Sequence, residues 1–230
     1  LDHVEWLGDS VDKIASEKAG VVKEGVPLFT TADNDVINNT CIKKSAPVFL
    51  VRHEESTNMN GAFQRKNAGL AAAVAKYLEM PRSAIEEGLF SVEWPARLEF
   101  VEENVLLDCA HNPDGIDKMA EFVKTLDYER LIIIFGVMKN KDCRSMIENL
   151  PQYDTIVLTK PKIDRALDPI KLKSICHGSI IVEDVSTAYR HAKKIATHRD
   201  LILICGSCYL AGEMLAYENK IPIHPIMFVQ

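Results

Sequence analysis

The sequence lacks any long apolar run. Its longest, Leu131–Val137, has the length of a strand and falls far short of the ~18 residues that a membrane helix needs. It also lacks an extended basic segment, since 27 Lys and Arg against 33 Asp and Glu give a formal net charge of −6. These absences argue against a membrane protein and a broad nucleic-acid surface. With 47% hydrophobic and 26% charged residues, the 230-residue chain is predicted to be globular.

Glycine-rich nucleotide loops are lacking as well. No G-x-G-x-x-G occurs, which weakens an interpretation as a dinucleotide-dependent oxidoreductase. Gly20 and Gly25 have the spacing of a phosphate-binding loop, but Val26 and Pro27 follow where Lys and Ser or Thr are required. No ammonium would therefore reach the phosphates there, and no hydroxyl would reach Mg²⁺.

Cysteine is better represented, with six residues scattered along the chain. Three of them lie in or beside apolar, strand-like runs, which predicts buried, reduced thiols in a cytoplasmic protein. Cys205 and Cys208 form a C-x-x-C. That pair would suit a redox or zinc site only with a second ligand pair or a helix start beside it. The alternative is two small residues around a turn at a strand end.

The apolar pattern changes near residues 92–95 and predicts a boundary between residues 1–93 and 94–230. The first part is predicted to mix helices with short strands. Its predicted helices are Asp12–Lys23, Asp33–Lys44, Gln64–Glu79 and Pro81–Leu89, and its predicted strands are Val26–Thr30 and Pro47–Arg52.

The second part alternates strands with helices. The strands are continuously apolar, which is typical of a mostly parallel sheet covered on both faces, with active groups at the carboxyl ends of its strands. The predicted strands are Val105–Cys109, Leu131–Gly136, Thr155–Thr159, Ser179–Glu183 and Leu201–Cys205. The predicted helices are Asp114–Leu126, Asp142–Asn149, Pro169–Cys176 and Thr187–Thr197.

The segment 108–115 places an acidic and a basic side chain together at the end of one predicted strand. Asp108 supplies a carboxylate and His111 an imidazole, directly before a predicted helix N-terminus. Such a place can hold a ribose and the anionic end of a substrate. The plain alternative is a turn and helix cap, in which Asn112 begins the turn and Pro113 takes the first helical position.

Six motifs in order over about residues 1–215 resemble the folylpolyglutamate synthase/dihydrofolate synthase family, which belongs to the Mur-ligase-like amide-bond-forming ATPases. They are Leu1-Asp2-His3, Glu17-Lys18-Ala19-Gly20, Gln64-x-x-Asn67-Ala68, Trp94-x-x-Arg97-Leu98-Glu99, His111-Asn112-Pro113 and Gly206-Ser207.

The resemblance implies a fold in two parts. Residues 1–93 would be the C-terminal part of an ATPase domain, and residues 94–230 a Rossmann-like α/β glutamate-ligase domain with a mostly parallel sheet. In the family, the phosphate loop, a second metal-binding carboxylate and most folate contacts precede the Leu-Asp-His motif. We therefore expect the chain to be part of a longer protein and inactive alone.

The resemblance implies a metal site near the start of the chain. His3 matches a magnesium-binding histidine and Lys18 a carbamylated lysine. A buried, neutral lysine can take up CO₂, and the carbamate then presents oxygens that Mg²⁺ prefers. The alternatives are a strand-end histidine bonded to backbone and a solvated helix lysine.

Three further residues match nucleotide contacts of the family. Asn67 matches an adenine-contacting asparagine, Arg97 an arginine near the phosphates and Asp108 a ribose-binding aspartate, which we expect to lie in an open cleft. The alternatives are a helix-surface amide for Asn67, an ion pair with Glu99 for Arg97, and a turn for Asp108.

On the amino-acid side, His111 matches a residue near the phosphates and the incoming glutamate. Ser207 matches a serine associated with glutamate, with a helix cap as its alternative. Three positions depart from the family: Phe63 replaces a frequent histidine, Ala96 replaces the usual glycine before Arg97, and the segment around Asp142 matches only in part, which puts a role for Asp142 in doubt.

The implied reaction is ATP-dependent addition of L-glutamate to a folate or dihydropteroate carboxylate through an acyl phosphate, with Mg²⁺ present. We expect a cytoplasmic monomer without nucleic-acid or membrane partners. A Mur-type ligase acting on a cell-wall precursor and a non-catalytic nucleotide-binding fragment remain alternatives.

Overall fold

The computed structural model describes residues 10–221, whose contacts divide the chain into two units, Leu1–Glu93 and Trp94–Gln230. The Leu-Asp-His motif and the metal-binding role expected for His3 lie outside the described residues. Each unit has its own secondary structure, and each is considered by itself.

The first unit contains four helices and a two-stranded parallel sheet within its described residues. Its elements are α1 (Val11–Ala19), β1 (Leu28–Thr30), α2 (Asp35–Lys43), β2 (Val48–Leu50), α3 (Ala62–Tyr77) and α4 (Arg82–Ser91). Every element predicted from the sequence of this unit is present, and the ends differ by a few residues. Polar residues set two of the starts, because the Ser10 side chain accepts from Lys13 N and that of Asn34 from Val36 N.

The second unit is an α/β layer structure. Its elements are β3 (Glu99–Glu102), β4 (Val105–Leu107), α5 (Pro113–Val123), β5 (Leu131–Phe135), α6 (Cys143–Glu148), β6 (Thr155–Leu158), β7 (Ile180–Ile181), α7 (Val185–Ile195), β8 (Leu201–Cys205) and α8 (Cys208–Glu218).

The six strands form one sheet in the order β3-β4-β8-β5-β6-β7. Only β3 runs antiparallel to its neighbour, so the predicted mostly parallel α/β fold is confirmed. The last strand in the chain, β8, lies between β4 and β5, with Leu107 opposite Ile204 and Phe135 opposite Cys205. The carboxyl ends of these three strands consequently meet at one edge of the sheet.

The core lies on both faces of this sheet, which explains the continuous apolar runs. Every residue of β4, β5 and β8 is buried. Helix α7 packs Val185, Ala188 and Ala192 into the same cluster as Ile132 and Ile202. At roughly 25 cal/mol per Å² of apolar surface removed from water, such strands dominate the stability of the unit.

Three elements differ from the sequence predictions. The helix predicted at Pro169–Cys176 is a single 3₁₀ turn, Pro169–Leu172. Strand β3 and helix α8 were not predicted. None of the helices within residues 10–221 has both the length and the apolar character needed to cross a membrane.

Candidate active site

Asp108 lies immediately after β4, at the edge where the parallel strands end. Its backbone N–H donates to Ile204 O at 3.0 Å, which continues the β4–β8 ladder. Its carboxylate is only 5% exposed. Oδ2 accepts from the backbone N–H of Leu98 at 2.9 Å, and Oδ1 accepts from that of Ala110 at 2.7 Å. The expectation of an open-cleft carboxylate was therefore wrong, because the side chain serves two backbone donors inside the fold.

Competing influences act on the pKa of Asp108. Burial is the largest and raises the pKa above its ordinary value, since it penalises the charged form. The hydrogen bonds from the Leu98 and Ala110 amides oppose that effect, as do the charges of Arg97 and His111. The carboxylate thus interacts both with the backbone and with two side chains predicted for the site, Arg97 and His111.

Arg97 is carried by a constrained turn. The residues on either side of it, Ala96 and Leu98, are buried and have left-handed φ values of 56° and 49°. Arg97 itself is exposed. Because glycine adopts such φ values without steric cost, the turn explains why the family's pattern has glycine where this chain has Ala96.

Side chains and backbone on both sides hold this turn in place. Glu99 accepts a hydrogen bond from Ala96 N at 2.7 Å through its carboxylate. Ala96 O accepts from Cys109 N at 2.8 Å. These bonds and the hydrogen bond from Leu98 N to Asp108 hold the backbone on both sides of Arg97, whose own side chain is exposed.

His111 and Asn112 take different positions in the loop before α5. His111 is half-buried, and its Nδ1 lies 3.0 Å from Cys109 O. Nδ1 must carry the hydrogen of that bond, so Nε2 is the basic nitrogen of the neutral ring. Asn112 caps α5, since its Oδ1 accepts from Gly115 N at 2.8 Å, with Pro113 following at the first helical position. The turn-and-cap alternative therefore describes Asn112.

Ser207 is the last residue of the connection from β8 to α8. It is 1% exposed, and its Oγ accepts from Leu210 N at 3.0 Å. The helix-cap alternative therefore describes its hydroxyl oxygen. The neighbouring Gly206 N donates to Ala110 O at 3.0 Å, which joins this loop to the one carrying Asp108. Gly206 has φ 116°, and a Cβ there would lie 2.7 Å from Gly136 O, so only glycine fits.

The C-x-x-C pair does not form a site. Cys205 is fully buried at the end of β8, and burial raises the pKa of its thiol. Cys208 is exposed as the first residue of α8, and its Sγ lies 3.6 Å from Cys109 O and 3.7 Å from His111 Nδ1. The sequence interpretation missed the neighbour Cys109. Its position one residue after Asp108, at another strand end, was the available signal.

Asn67 lies in the first unit, on α3. It is exposed, and its Nδ2 donates to Gln64 Oε1 at 2.8 Å. Both residues line a cavity of about 400 Å³ whose other walls are mainly alanine and aliphatic side chains. Gln64 is 4% exposed, and its Nε2 has no hydrogen-bond partner within residues 10–221. A mostly apolar cavity with a few polar groups is typical of small-molecule sites.

Of the two residues expected to bind the metal, His3 and Lys18, the structure describes Lys18. Lys18 is exposed in the last turn of α1, without the burial that carbamylation was expected to use. No group of three or more His, Cys, Asp or Glu within the described part of the chain could hold a metal ion. The described residues therefore do not fit a Mg²⁺ site. Asp142, whose role was in doubt, caps α6 through Ser145 N at 3.1 Å.

Comparison with known proteins shows which family the second unit resembles. Residues 96–208 match the family described as "Mur ligase, glutamate ligase domain". This segment is therefore similar to the glutamate ligase domain of Mur ligases. It contains Arg97, Asp108, His111 and Ser207, all placed by the structure on loops at the carboxyl edge of its sheet.

Curated relatives extend the similarity over most of the chain. The "Probable bifunctional folylpolyglutamate synthase/dihydropteroate synthase" of Haloferax volcanii is 29% identical over 93% of this chain and 30% of its own length. The "Dihydrofolate synthase/folylpolyglutamate synthase" of Bacillus subtilis is 28% identical over 93% of this chain and 59% of its own length. The resemblance found in the sequence motifs is confirmed, and the chain spans between about one third and three fifths of these relatives.

A solved structure and a second type of ligase complete the comparison. A bifunctional folylpolyglutamate synthase/dihydrofolate synthase with Mn, AMPPNP and L-glutamate bound matches with a TM-score of 0.83 and 25% identity, over 95% of this chain and 60% of the other. The UDP-N-acetylmuramoyl-L-alanyl-D-glutamate--2,6-diaminopimelate ligase of Caldanaerobacter subterraneus subsp. tengcongensis is 29% identical over a smaller share, 84%, of this chain.

Proposed function

We propose that this chain is part of an ATP-dependent ligase that adds L-glutamate to the carboxylate of a folate or a dihydropteroate. The observation that carries the proposal is the placement of Arg97 in a segment that matches a glutamate ligase domain, exposed on a turn held by Asp108. The relatives named for folylpolyglutamate or dihydrofolate synthesis support the substrate class.

The chemistry requires activation of the acceptor. A carboxylate does not condense with an amine in water, because its oxygen is a very poor leaving group. Transfer of the γ-phosphoryl group of ATP forms an acyl phosphate. The α-amine of glutamate then attacks the acyl carbon, and phosphate leaves. Catalysis of such steps depends on positioning and on balancing the phosphate charge.

In this proposal the nucleotide is contacted by three residues. Arg97 pairs its planar guanidinium with phosphate oxygens. Asn67 contacts the adenine, next to the apolar cavity wall and to Gln64 Nε2, which lacks a hydrogen-bond partner within the described residues. Asp108 accepts from the ribose through the lone pairs that its two backbone hydrogen bonds leave over, in addition to holding the Arg97 turn.

His111 and Ser207 serve the glutamate side of the proposed reaction. With Nδ1 donating to Cys109 O, the basic nitrogen of neutral His111 is Nε2, which can take the proton that the attacking amine must lose. Ser207 accepts from Leu210 N and keeps its hydroxyl hydrogen as a donor for a carboxylate. Both residues lie at strand ends of the same sheet edge.

A divalent metal is part of the proposal only through the manganese-bound relative. His3 and a carbamylated Lys18 remain the residues predicted to hold it. Lys18 is exposed in the structure, whereas carbamylation favours a buried, neutral lysine.

A cytoplasmic, monomeric protein is also proposed. All six cysteines are free thiols, which suits a reducing compartment. Gel filtration combined with light scattering tests the monomer, and a mass of two or more chains would contradict it.

The test is substrate dependence in the full-length polypeptide that contains these residues. ADP formation is measured with ATP, L-glutamate and either folate or dihydropteroate. We expect ADP to form only when L-glutamate and one of these two acceptors are both present. ADP formation that requires a UDP-linked cell-wall precursor instead would favour the Mur-type alternative. ATP binding without turnover under every condition would favour a non-catalytic fragment.

A further inference from the structure

Two cysteines from distant parts of the sequence meet at the carboxyl edge of the sheet. Cys109 follows β4 and Cys208 begins α8, directly beyond β8. Because β4 and β8 are parallel neighbours, the loops that leave them adjoin. The Sγ of Cys208 lies 3.6 Å from the backbone carbonyl oxygen of Cys109, and each of the two thiols shifts the pKa of the other.

We propose that Cys109 and Cys208 are a redox-active dithiol that a low-molecular-weight disulfide converts reversibly to a Cys109–Cys208 disulfide. The pair has the features such a site requires. Cys208 is exposed and can meet a reagent, and Cys109 is half-buried beside it. Neither the glutamate-ligase chemistry nor the C-x-x-C spacing of Cys205 and Cys208 accounts for this contact.

The surroundings divide the roles between the two sulfurs. The neighbouring Cys109 thiol is the largest influence on Cys208 and lowers the pKa of its thiol to about 6, assisted by the backbone amide of Cys208 and the charge of Arg97. Burial and the carboxylate of Asp108 act in the opposite direction. The Cys208 thiol in turn raises the pKa of Cys109 well above its usual range. Cys208 is therefore the attacking thiolate and Cys109 keeps its proton.

His111 completes the set of groups that face Cys208. Its Nδ1 lies 3.7 Å from Sγ of Cys208 and 3.0 Å from Cys109 O. A helix start also favours a thiolate at its first residue, since the backbone amides there carry partial positive charge.

The reaction balances as a thiol–disulfide exchange. The Cys208 thiolate attacks one sulfur of oxidised glutathione, the disulfide of that reagent breaks, and one glutathione thiolate leaves. Cys109 then gives its proton to a glutathione thiolate and attacks Cys208 Sγ. The second glutathione leaves, so that the protein loses two electrons and the reagent gains them.

Cys143 offers a matched control. It also begins a helix, α6, behind an aspartate cap, and it is half-buried. Like Cys208, Cys143 is the first residue of a helix, but it does not contact Cys109. In the purified, reduced protein at pH 7, iodoacetamide labelling followed by peptide mass spectrometry should show Cys208 alkylated about tenfold faster than Cys143. Equal rates would overturn the assignment of Cys208 as the thiolate.

The closing experiment treats the protein with oxidised glutathione and maps the peptides without reduction. We expect a peptide pair linked through Cys109 and Cys208 that dithiothreitol separates. In Cys109→Ala, the same treatment should leave one glutathionyl group on Cys208, and in Cys208→Ala that adduct and the linkage should both be lost. Wild-type protein that retains glutathione on Cys208 without linkage, or links Cys208 to another cysteine, would overturn the proposal.

Discussion

The carboxylate of Asp108 accepts a hydrogen bond from the backbone N–H of Leu98 at 2.9 Å and so joins the end of β4 to the turn that carries Arg97. Its other oxygen holds Ala110 N at 2.7 Å, in the loop that leads to His111. One buried acid thus fixes two loops of the candidate active site. The effects of changing it should appear in stability as well as in ligand binding.

Replacement of Asp108 by alanine should lower the free energy of unfolding by about 2–6 kcal/mol, because two buried amides lose their acceptor at roughly 1–3 kcal/mol each. Asp108→Asn keeps one acceptor oxygen and should lose less. Urea denaturation at pH 7 measures both. The exposed Asp114, paired with Lys118 on the surface of α5, is the control, and Asp114→Ala should change stability by less than about 0.5 kcal/mol. Wild-type stability in Asp108→Ala would contradict the finding.

The left-handed turn before Arg97 predicts different effects on stability for two substitutions of Ala96. Glycine suits φ 56° but adds freedom to the unfolded chain and removes a buried methyl, so Ala96→Gly should stay within about 1 kcal/mol of wild type. Valine is strongly disfavoured at positive φ, so Ala96→Val should lose about 2 kcal/mol or more. Thermal unfolding followed by circular dichroism compares them. A valine variant as stable as the glycine variant would show that the turn is not constrained.

Arg97 should contribute to nucleotide binding and little to stability, since it is exposed on a turn that other residues hold. Arg97→Ala should weaken ATP binding by about 1.5–3 kcal/mol, the range for hydrogen bonds to charged groups, and Arg97→Lys should recover only part of it. Isothermal titration calorimetry on the full-length polypeptide gives the affinities. Arg144→Ala, at an exposed position on α6, is the charge-matched control and should bind as wild type. Equal losses in both variants would indicate a general charge effect.

Asp200 makes stability depend on pH. Arg130 donates to its carboxylate at 2.6 and 3.1 Å, and this hydrogen bonding is the main cause that holds the pKa of Asp200 well below its ordinary value. A pKa lower in the folded than in the unfolded chain stabilises the fold above about pH 4, the unfolded value, and that contribution is lost as the pH falls.

Asp200→Asn should therefore cost about 2 kcal/mol at pH 7, and the gap to wild type should narrow as the pH falls below about 4. Denaturant midpoints at several pH values measure the gap. A gap that stays constant or widens toward low pH would contradict the sign of the shift.

The sequence predicted the strands well because a strand that is buried on both faces is apolar at every position. Runs such as Leu131–Phe135 and Leu201–Cys205 are apolar throughout, and their length of five residues is typical of a buried strand. Helix α8 was missed because it is apolar on most sides and shows no stripe. Strand β3 was missed because Glu99–Glu102 is short, with exposed and half-buried residues in alternation.

The site was predictable in residue types more than in contacts. Asp108 and His111 could be found from a strand end followed by a helix start. That Asp108 is buried against Leu98 depends on the left-handed turn at Ala96, which local sequence does not reveal. Cys109 and Cys208 lie close together because β8 is inserted beside β4. The order of strands in a sheet cannot be predicted from the local sequence of any one strand.

The most direct test of a glutamate ligase is the fate of the acceptor's carboxylate oxygen. The full-length polypeptide is given ATP, L-glutamate and a folate or dihydropteroate labelled with ¹⁸O in its carboxylate, and the products are separated by mass spectrometry. The acyl-phosphate route predicts a glutamylated product together with one ¹⁸O atom in the released inorganic phosphate. Glutamylated product with unlabelled phosphate, or no glutamylated product from either acceptor, would contradict the account.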